Sequence, residues 1–286
     1  MSDARTNLRA GLIGSSIQAS RTPTMQMREG AAQNLDYSYE IFDLDVMPGG
    51  PASLPSLLDR LQAEGYAGVN ITHPAKQQVI DLIDDLSPDA RAIAAVNTVT
   101  FGTGKRVGRN TDWWGFAEAF RRGLPTVPLG RVMQLGAGGA GAAISYALGQ
   151  LGAGEVWIYD LDEQRAQVLA DRMNQSSEST RFKASFDIAR DFVTCNGLVH
   201  CTPMGMTKYP GIALDPDLIS PNHWVSDIVY VPLETELLRV ARAKGCQVLD
   251  GSGMAVFQAV GAFEYFTGLP ANPDRMQSYF DAFELA

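Results

Sequence analysis

Gly136-Ala137-Gly138-Gly139-Ala140-Gly141 directly follows the apolar run Arg131 to Leu135 and directly precedes the Ala-rich segment Ala142 to Leu151. A strand, a GxGxxG turn and a helix in that order make the phosphate-binding corner of a dinucleotide fold. The glycines allow a tight turn, close approach of backbone to a pyrophosphate and close packing of helix on strand, and the helix N-terminus faces the phosphates. The next apolar run ends at Asp160, nineteen residues past Gly141. Dinucleotide folds place an acidic side chain there on the adenosine ribose hydroxyls, where it repels a 2′-phosphate. Leu161 and Asp162 follow, so no arginine stands beside it to receive that phosphate; Arg165 comes one helical turn later. The pattern favours NAD over NADP, the bland alternative being a solvated aspartate at a strand end.

Downstream, the β-like runs Val156 to Tyr159, Gly197 to His200, Val225 to Val229 and Gln247 to Leu249 alternate with helical segments, as in a doubly wound sheet. Upstream, Arg9 to Ile13, Tyr37 to Leu44 and Ala67 to Ile71 read as strands. Leu54, Leu57, Leu58 and Leu61 recur at helical spacing between two of them. A helical run from Trp114 to Arg122 ends in Gly-Leu-Pro before the Arg131 strand, and Ser252 to Thr267 reads as a strongly apolar helix.

At 286 residues the chain exceeds the usual single core, so two domains are expected. Its 45% apolar and 19% charged residues suit a soluble globular protein, and no segment approaches a membrane span. The N-terminus lacks the apolar core of a secretory signal, and three cysteines at unpatterned spacings read as buried thiols. Both point to the cytoplasm. Three scattered histidines assemble no metal motif, so catalysis without metal is expected. The net charge of −9 argues against a nucleic-acid partner. The expected partner is a small molecule, and the expected assembly, where one forms, is a homodimer.

Three further segments carry polar residues that an apolar core does not explain: Asn70-Ile71-Thr72-His73-Pro74-Ala75-Lys76, Ala95-Val96-Asn97-Thr98, and Asn110-Thr111-Asp112. Each sits at or just after a strand-like run, where ligands of α/β sheets gather. Lys76 and Asp112 become candidate partners in proton transfer.

These segments resemble the shikimate dehydrogenase family, whose pattern is an Asn-(Val/Ile)-Thr-x-Pro-x-Lys loop, then Ala-Val-Asn-Thr, then Asn-Thr-Asp. The likeness spans nearly the whole chain. It continues through Gly11-Leu12-Ile13-Gly14, Ser20-Arg21-Thr22-Pro23, Cys201-Thr202-Pro203-Met204-Gly205-Met206, Asp227-Ile228-Val229-Tyr230-Val231-Pro232 and Asp250-Gly251-Ser252-Gly253-Met254. The resemblance implies that Lys76 and Asp112 are the catalytic pair and that Ser20, Thr22, Thr72, Asn97, Tyr230 and Gln258 surround a cyclic polyol carboxylate, with Ser20 and Thr22 on its carboxylate. It further implies that Gly136, Ala137, Gly138, Gly139, Ala140, Gly141, Asp160, Arg165, Thr202, Pro203, Met204, Val229, Gly251 and Met254 line the dinucleotide.

Under this resemblance the reaction removes a hydroxyl proton as hydride leaves the same carbon for the nicotinamide. A lysine in water is protonated near neutrality and is a poor base. Lys76 therefore either shuttles the proton through coupling to Asp112 or only orients the hydroxyl beside it. Thr22 stands where biosynthetic members carry a second serine, and Asp160-Leu161-Asp162 replaces their Asn-Arg-Thr for NADP. Both departures, and His73 before Pro74, are similar to the NAD-dependent quinate/shikimate dehydrogenases. The alternatives are an NADP-linked shikimate or aminoshikimate dehydrogenase and, from another class, a non-catalytic dinucleotide-binding sensor.

The expected architecture is α/β with two domains. An N-terminal α/β substrate-binding domain covers residues 1–112, completed by the C-terminal helix 252–286 because Gln258 is implied to touch substrate. A doubly wound Rossmann NAD-binding domain covers 113–251.

Overall fold

The structure, a computed structural model, describes residues 7–102 and 104–282. The chain divides into two compact units. One runs through Thr111 and resumes at Val256; the other spans Asp112–Ala255.

In the first unit β1 (Leu8–Gly14), α1 (Thr22–Ala32), β2 (Tyr37–Asp43), α2 (Leu54–Ala63) and β3 (Gly68–Ile71) alternate strand and helix, with β1 hydrogen-bonded in parallel to both β2 and β3. After α3 (Ala75–Gln78), the short β4 (Asp85–Leu86) and α4 (Pro88–Ile93), a hairpin of β5 (Thr98–Gly102) and β6 (Lys105–Arg109) extends the sheet. Its order is β2-β1-β3-β5-β6-β4, with β5 antiparallel to both neighbours. That reversal brings the start of β5 and the end of β6 to the carboxyl end of β3. Leu54, Leu57, Leu58 and Leu61 of α2 are all buried against this sheet's core, as their i, i+3, i+4, i+7 spacing requires.

The second unit runs α5 (Asp112–Gly123), β7 (Arg131–Leu135), α6 (Gly139–Gln150), β8 (Glu155–Tyr159), α7 (Glu163–Ser176), β9 (Arg181–Ala184), α8 (Ile188–Phe192), β10 (Gly197–His200), β11 (Trp224–Asp227), α9 (Glu236–Ala243) and β12 (Gln247–Leu249). All pairings are parallel, and the order is β12-β11-β10-β7-β8-β9. Winding proceeds outward from β7 in one direction and from β10 in the other, so the switch point lies between those two strands. β10 and β11 are wholly buried, as strands of a parallel sheet covered on both faces are. Helix α10 (Ser252–Thr267) leads from this unit back into the first, where α11 (Pro273–Asp281) follows.

Several boundaries differ from the sequence pattern. β11 stops at Asp227 rather than Val229, because the Val229 N–H turns onto the Asp227 carboxylate at 3.0 Å instead of continuing the ladder. α6 begins at Gly139, three residues before the apolar periodicity, and α5 begins at Asp112 rather than Trp114. α1, α11 and the β5–β6 hairpin have no counterpart in the periodicity. The reason at α1 is that its buried face includes Gln26 and Glu29. Gln26 Nε2 donates to the Ala259 carbonyl at 2.8 Å, and Glu29 accepts both Arg275 Nε (2.7 Å) and Nη2 (2.5 Å). A polar face satisfied by another element buries as well as an apolar one.

Candidate active site

The glycine turn follows the end of β7, and each glycine faces a different constraint. Gly136 has φ +99°, and a Cβ there would also meet the Cys201 carbonyl oxygen at 3.0 Å. A Cβ on Gly141 would lie 2.2 Å from the Gly136 carbonyl oxygen, so the first turn of α6 packs directly on the loop. By contrast, a Cβ on Gly138 or Gly139 would meet nothing within 4 Å. The open side is also where α6 starts with no side-chain cap at Gly138. The packed glycines shape the turn, and the open ones leave room for a group seated on the first N–H donors of the helix. This is the shape a pyrophosphate needs, and the residues present fit a dinucleotide.

Two side chains brace the turn. Gln134, fully buried in β7, donates through Nε2 to the carbonyls of Gly136 (2.9 Å) and Gly141 (3.0 Å) and accepts Ser145 Oγ at 2.8 Å. Asp160, just past β8, accepts the Ala137 N–H on Oδ2 at 2.8 Å and the Asp162 N–H on Oδ1 at 2.9 Å. Leu161 beside it is 93% exposed. Arg165 pairs with Asp162, the N-cap of α7, at 3.3 Å.

On the other side of the switch point, Thr202 follows β10, and its methyl would lie 3.0 Å from a Cβ on Gly136. The Met204 N–H donates to Thr202 Oγ1 at 3.2 Å, forming the Thr202-Pro203-Met204 turn, and Met204 is exposed. Gly251 fits against β11's exit, where a Cβ would meet the Ile228 oxygen at 2.4 Å and the Val229 oxygen at 2.7 Å. Tyr230 is exposed in the loop after β11, and Met254 lies half-buried in the first turn of α10. Burial first, then the Asp227 charge, pushes the Cys201 thiol well up, so the cysteine beside this turn stays a protonated thiol.

In the first unit, the carboxyl ends of β1 and β3 are laced together. The Thr72 N–H donates to the Ile13 carbonyl (2.9 Å) and the Ser15 N–H to the His73 carbonyl (2.8 Å). Buried Asp43 shapes the following loop by accepting the N–H groups of Ser16 and Ile17. Ser20 and Thr22 stand at the entrance to α1, where the Thr22 N–H donates to Ser20 Oγ at 3.3 Å.

Asn97 is the hub of a buried network. Its Nδ2 donates to Thr111 Oγ1 (2.9 Å), and its Oδ1 accepts the Thr111 N–H (2.7 Å) and Thr98 Oγ1 (3.0 Å). Asn70 adds Nδ2 bonds to the Asn97 carbonyl and Thr98 Oγ1. Thr111 Oγ1 donates in turn to the Gln258 carbonyl of α10 at 3.0 Å. Lys76 is half-buried in α3, and its own carbonyl accepts the Val96 N–H one residue before Asn97. Lys76, Asn97 and the backbone of Gln258 are thus tied into one framework, with Thr72 at the neighbouring strand end. Asp112, buried in the first turn of α5, belongs to the second unit. Among the described residues no three His, Cys, Asp or Glu side chains gather as metal ligands, and no helix is long and apolar enough to cross a membrane.

The sequence pattern gives no warning of Gln134 or of His200, which lies between Asp227 and Thr202. The available signal is a polar residue inside a fully buried apolar strand, where a hydrogen-bonding task is the only stable reason for it.

Fold and cradle together define a two-domain α/β dinucleotide-binding protein. A family model described as the shikimate dehydrogenase substrate binding domain matches residues 12–99. A Streptomyces avermitilis protein named shikimate dehydrogenase (NADP(+)) is 50% identical over 278 residues, covering 96% of this chain and 95% of its own. One from Corynebacterium efficiens named quinate/shikimate dehydrogenase (NAD(+)) is 44% identical over 273 residues, with 94% and 96% covered. The solved structure of quinate dehydrogenase from Corynebacterium glutamicum in complex with NAD is 43% identical, with a TM-score of 0.91 over 96% of this chain and 99% of that one. The chain belongs to the shikimate dehydrogenase family. It is an oxidoreductase that works with a nicotinamide dinucleotide.

Proposed function

We propose that this chain catalyses the reversible, NAD-dependent oxidation of a ring hydroxyl of quinate or shikimate. The observation that carries NAD over NADP is Asp160: its carboxylate is anchored at the lip of the glycine turn by the Ala137 and Asp162 N–H groups, with Leu161 exposed beside it. A fixed negative charge there accepts ribose hydroxyls and repels a 2′-phosphate. The substrate class is supported by relatives named for quinate and shikimate.

When bound, the nicotinamide accepts the hydride. Ser20 and Thr22 hold the substrate carboxylate, with the Thr22 methyl shaping the pocket near C1, and Thr72, Asn97, Tyr230 and Gln258 hold the ring. Lys76 and Asp112 handle the hydroxyl proton. The remaining cofactor contacts are the glycine turn, Arg165, the Thr202-Pro203-Met204 turn, Val229, Gly251 and Met254. The buried, free thiols Cys195, Cys201 and Cys246 support placement in a reducing cytoplasm.

The second reading, NADP use, is favoured by the name of the 50% identical Streptomyces relative. Initial rates at 340 nm, crossing quinate and shikimate with NAD and NADP, decide between them. Reduction of NAD with either substrate is the expected result; a strong NADP preference overturns the Asp160 argument, and no turnover with any pair overturns the substrate.

A further inference from the structure

His200 and Asp227 are register partners at the ends of β10 and β11, and both are 1% exposed. The Asp227 carboxylate takes three contacts: His200 Nδ1 at 2.9 Å and the Val229 N–H at 3.0 Å on Oδ1, and Thr235 Oγ1 at 2.7 Å on Oδ2. A carboxylate only accepts, so a proton sits on His200 Nδ1, and in the ring with one proton Nε2 carries a lone pair. Nε2 lies 2.5 Å from Thr202 Oγ1. The threonine hydroxyl must then donate inward to the ring. Its oxygen already accepts the Met204 N–H at 3.2 Å, which leaves one lone pair for anything outside.

We infer that the buried His200–Asp227 pair is a positioning device that turns the Thr202 hydroxyl inward, so that Thr202 meets the dinucleotide as a hydrogen-bond acceptor only. Thr202 stands at the switch point against Gly136, where open α/β sheets bind their ligands. A pure acceptor there selects a donor on the ligand, a ribose hydroxyl or an amide N–H, and offers nothing to a phosphate oxygen. His200 acts only through Thr202. The inference rests on the dinucleotide-binding reading of this unit.

The test measures the Kd of NAD and NADP by intrinsic fluorescence quenching on the full chain, for wild type, Thr202→Val, Thr202→Ser, His200→Gln and the double variant His200→Gln/Thr202→Val. Thr202→Val raises Kd about tenfold, the loss of one hydrogen bond to a ligand, and Thr202→Ser restores it. Because His200 works through Thr202, the double variant binds no worse than Thr202→Val alone; additive losses, or an unchanged Kd in Thr202→Val, overturn the inference. The second measurement needs no variant of the buried pair. With three histidines in the chain, ¹⁵N chemical shifts of labelled His200 report its tautomer: protonated Nδ1 with bare Nε2 is expected, and a protonated Nε2 overturns the proposal. If wild type binds neither dinucleotide, the function proposed above fails instead, and the tautomer still decides the hydroxyl's direction.

Discussion

The Asp160 carboxylate accepts the Ala137 N–H at 2.8 Å and so ties the end of β8 to the glycine turn after β7. One side chain therefore sets the shape of the turn and places a negative charge at its lip. Asp160→Ala removes both: it raises the KM for NAD about tenfold, the scale of one charge-assisted hydrogen bond, and it relieves repulsion of a 2′-phosphate. The ratio of kcat/KM for NAD over NADP falls toward one. Steady-state kinetics with both cofactors check this, and an unchanged ratio removes Asp160 from cofactor choice.

The glycine turn separates folding from binding by position. Gly141→Ala drives a methyl onto the Gly136 oxygen 2.2 Å away, so it destabilises the fold by about 2 kcal/mol or more, in the range of overpacking. Gly138→Ala meets nothing within 4 Å and keeps an ordinary φ of −77°, so it leaves the melting temperature near wild type. Its methyl instead fills the space of a pyrophosphate, and dinucleotide Kd rises at least about tenfold. Thermal unfolding and dinucleotide titration on the two variants expose the contrast. Wild-type affinity in Gly138→Ala would place the phosphates elsewhere.

How much of this is legible in the chain alone follows the kind of interaction. β7, the turn and α6 are legible because glycine spacing and apolar runs are local signals. The α2 stripe is legible because four leucines at helical spacing have no other use. α1 is not, since its buried Gln26 and Glu29 find partners more than 200 residues away. The β5–β6 hairpin is half-exposed and short, so it leaves little alternation to read. Within the candidate site, the placement of Thr72 just past β3 is legible, whereas Asn97 stands just before β5 rather than after a strand, and its bonds to Thr111, like the bracing by Gln134, depend on register and burial that only the folded chain supplies.

Glu29 and Arg275 hold α1 to α11. Burial pushes the Glu29 carboxyl up, but the bonds from Arg275, Gln33 and the Asn272 N–H together outweigh it and hold it below the usual carboxylate range. Arg275→Met strands a fully buried carboxylate and costs about 3 kcal/mol, the low end for a broken buried pair because the guanidinium is one-third exposed. A depressed folded-state pKa contributes stability that is fully present above the ordinary carboxylate pKa and is lost as pH falls through the lower, folded value. The gap between wild type and Arg275→Met is therefore widest near neutrality and narrows as pH falls, first through the raised carboxyl pKa of the variant and then through the lowered one of wild type. Denaturant unfolding across pH 3 to 7 measures it, and adding Glu29→Gln to the variant recovers part of the loss.

Lys76→Met tests the chemistry while keeping the backbone tie of the residue to the sheet, since its carbonyl accepts the Val96 N–H at 2.9 Å whatever the side chain. Methionine keeps most of the aliphatic stem and removes only the ammonium. If Lys76 handles the hydroxyl proton, kcat falls about 10²- to 10⁴-fold, the scale of general acid–base assistance, while dinucleotide Kd stays near wild type. Asp112→Asn falls comparably, and the double variant is little worse than either single one, because groups that act as a unit are non-additive. A loss below about tenfold in Lys76→Met, with the dinucleotide still bound, assigns the lysine to orienting the substrate and leaves proton transfer to Asp112 or solvent.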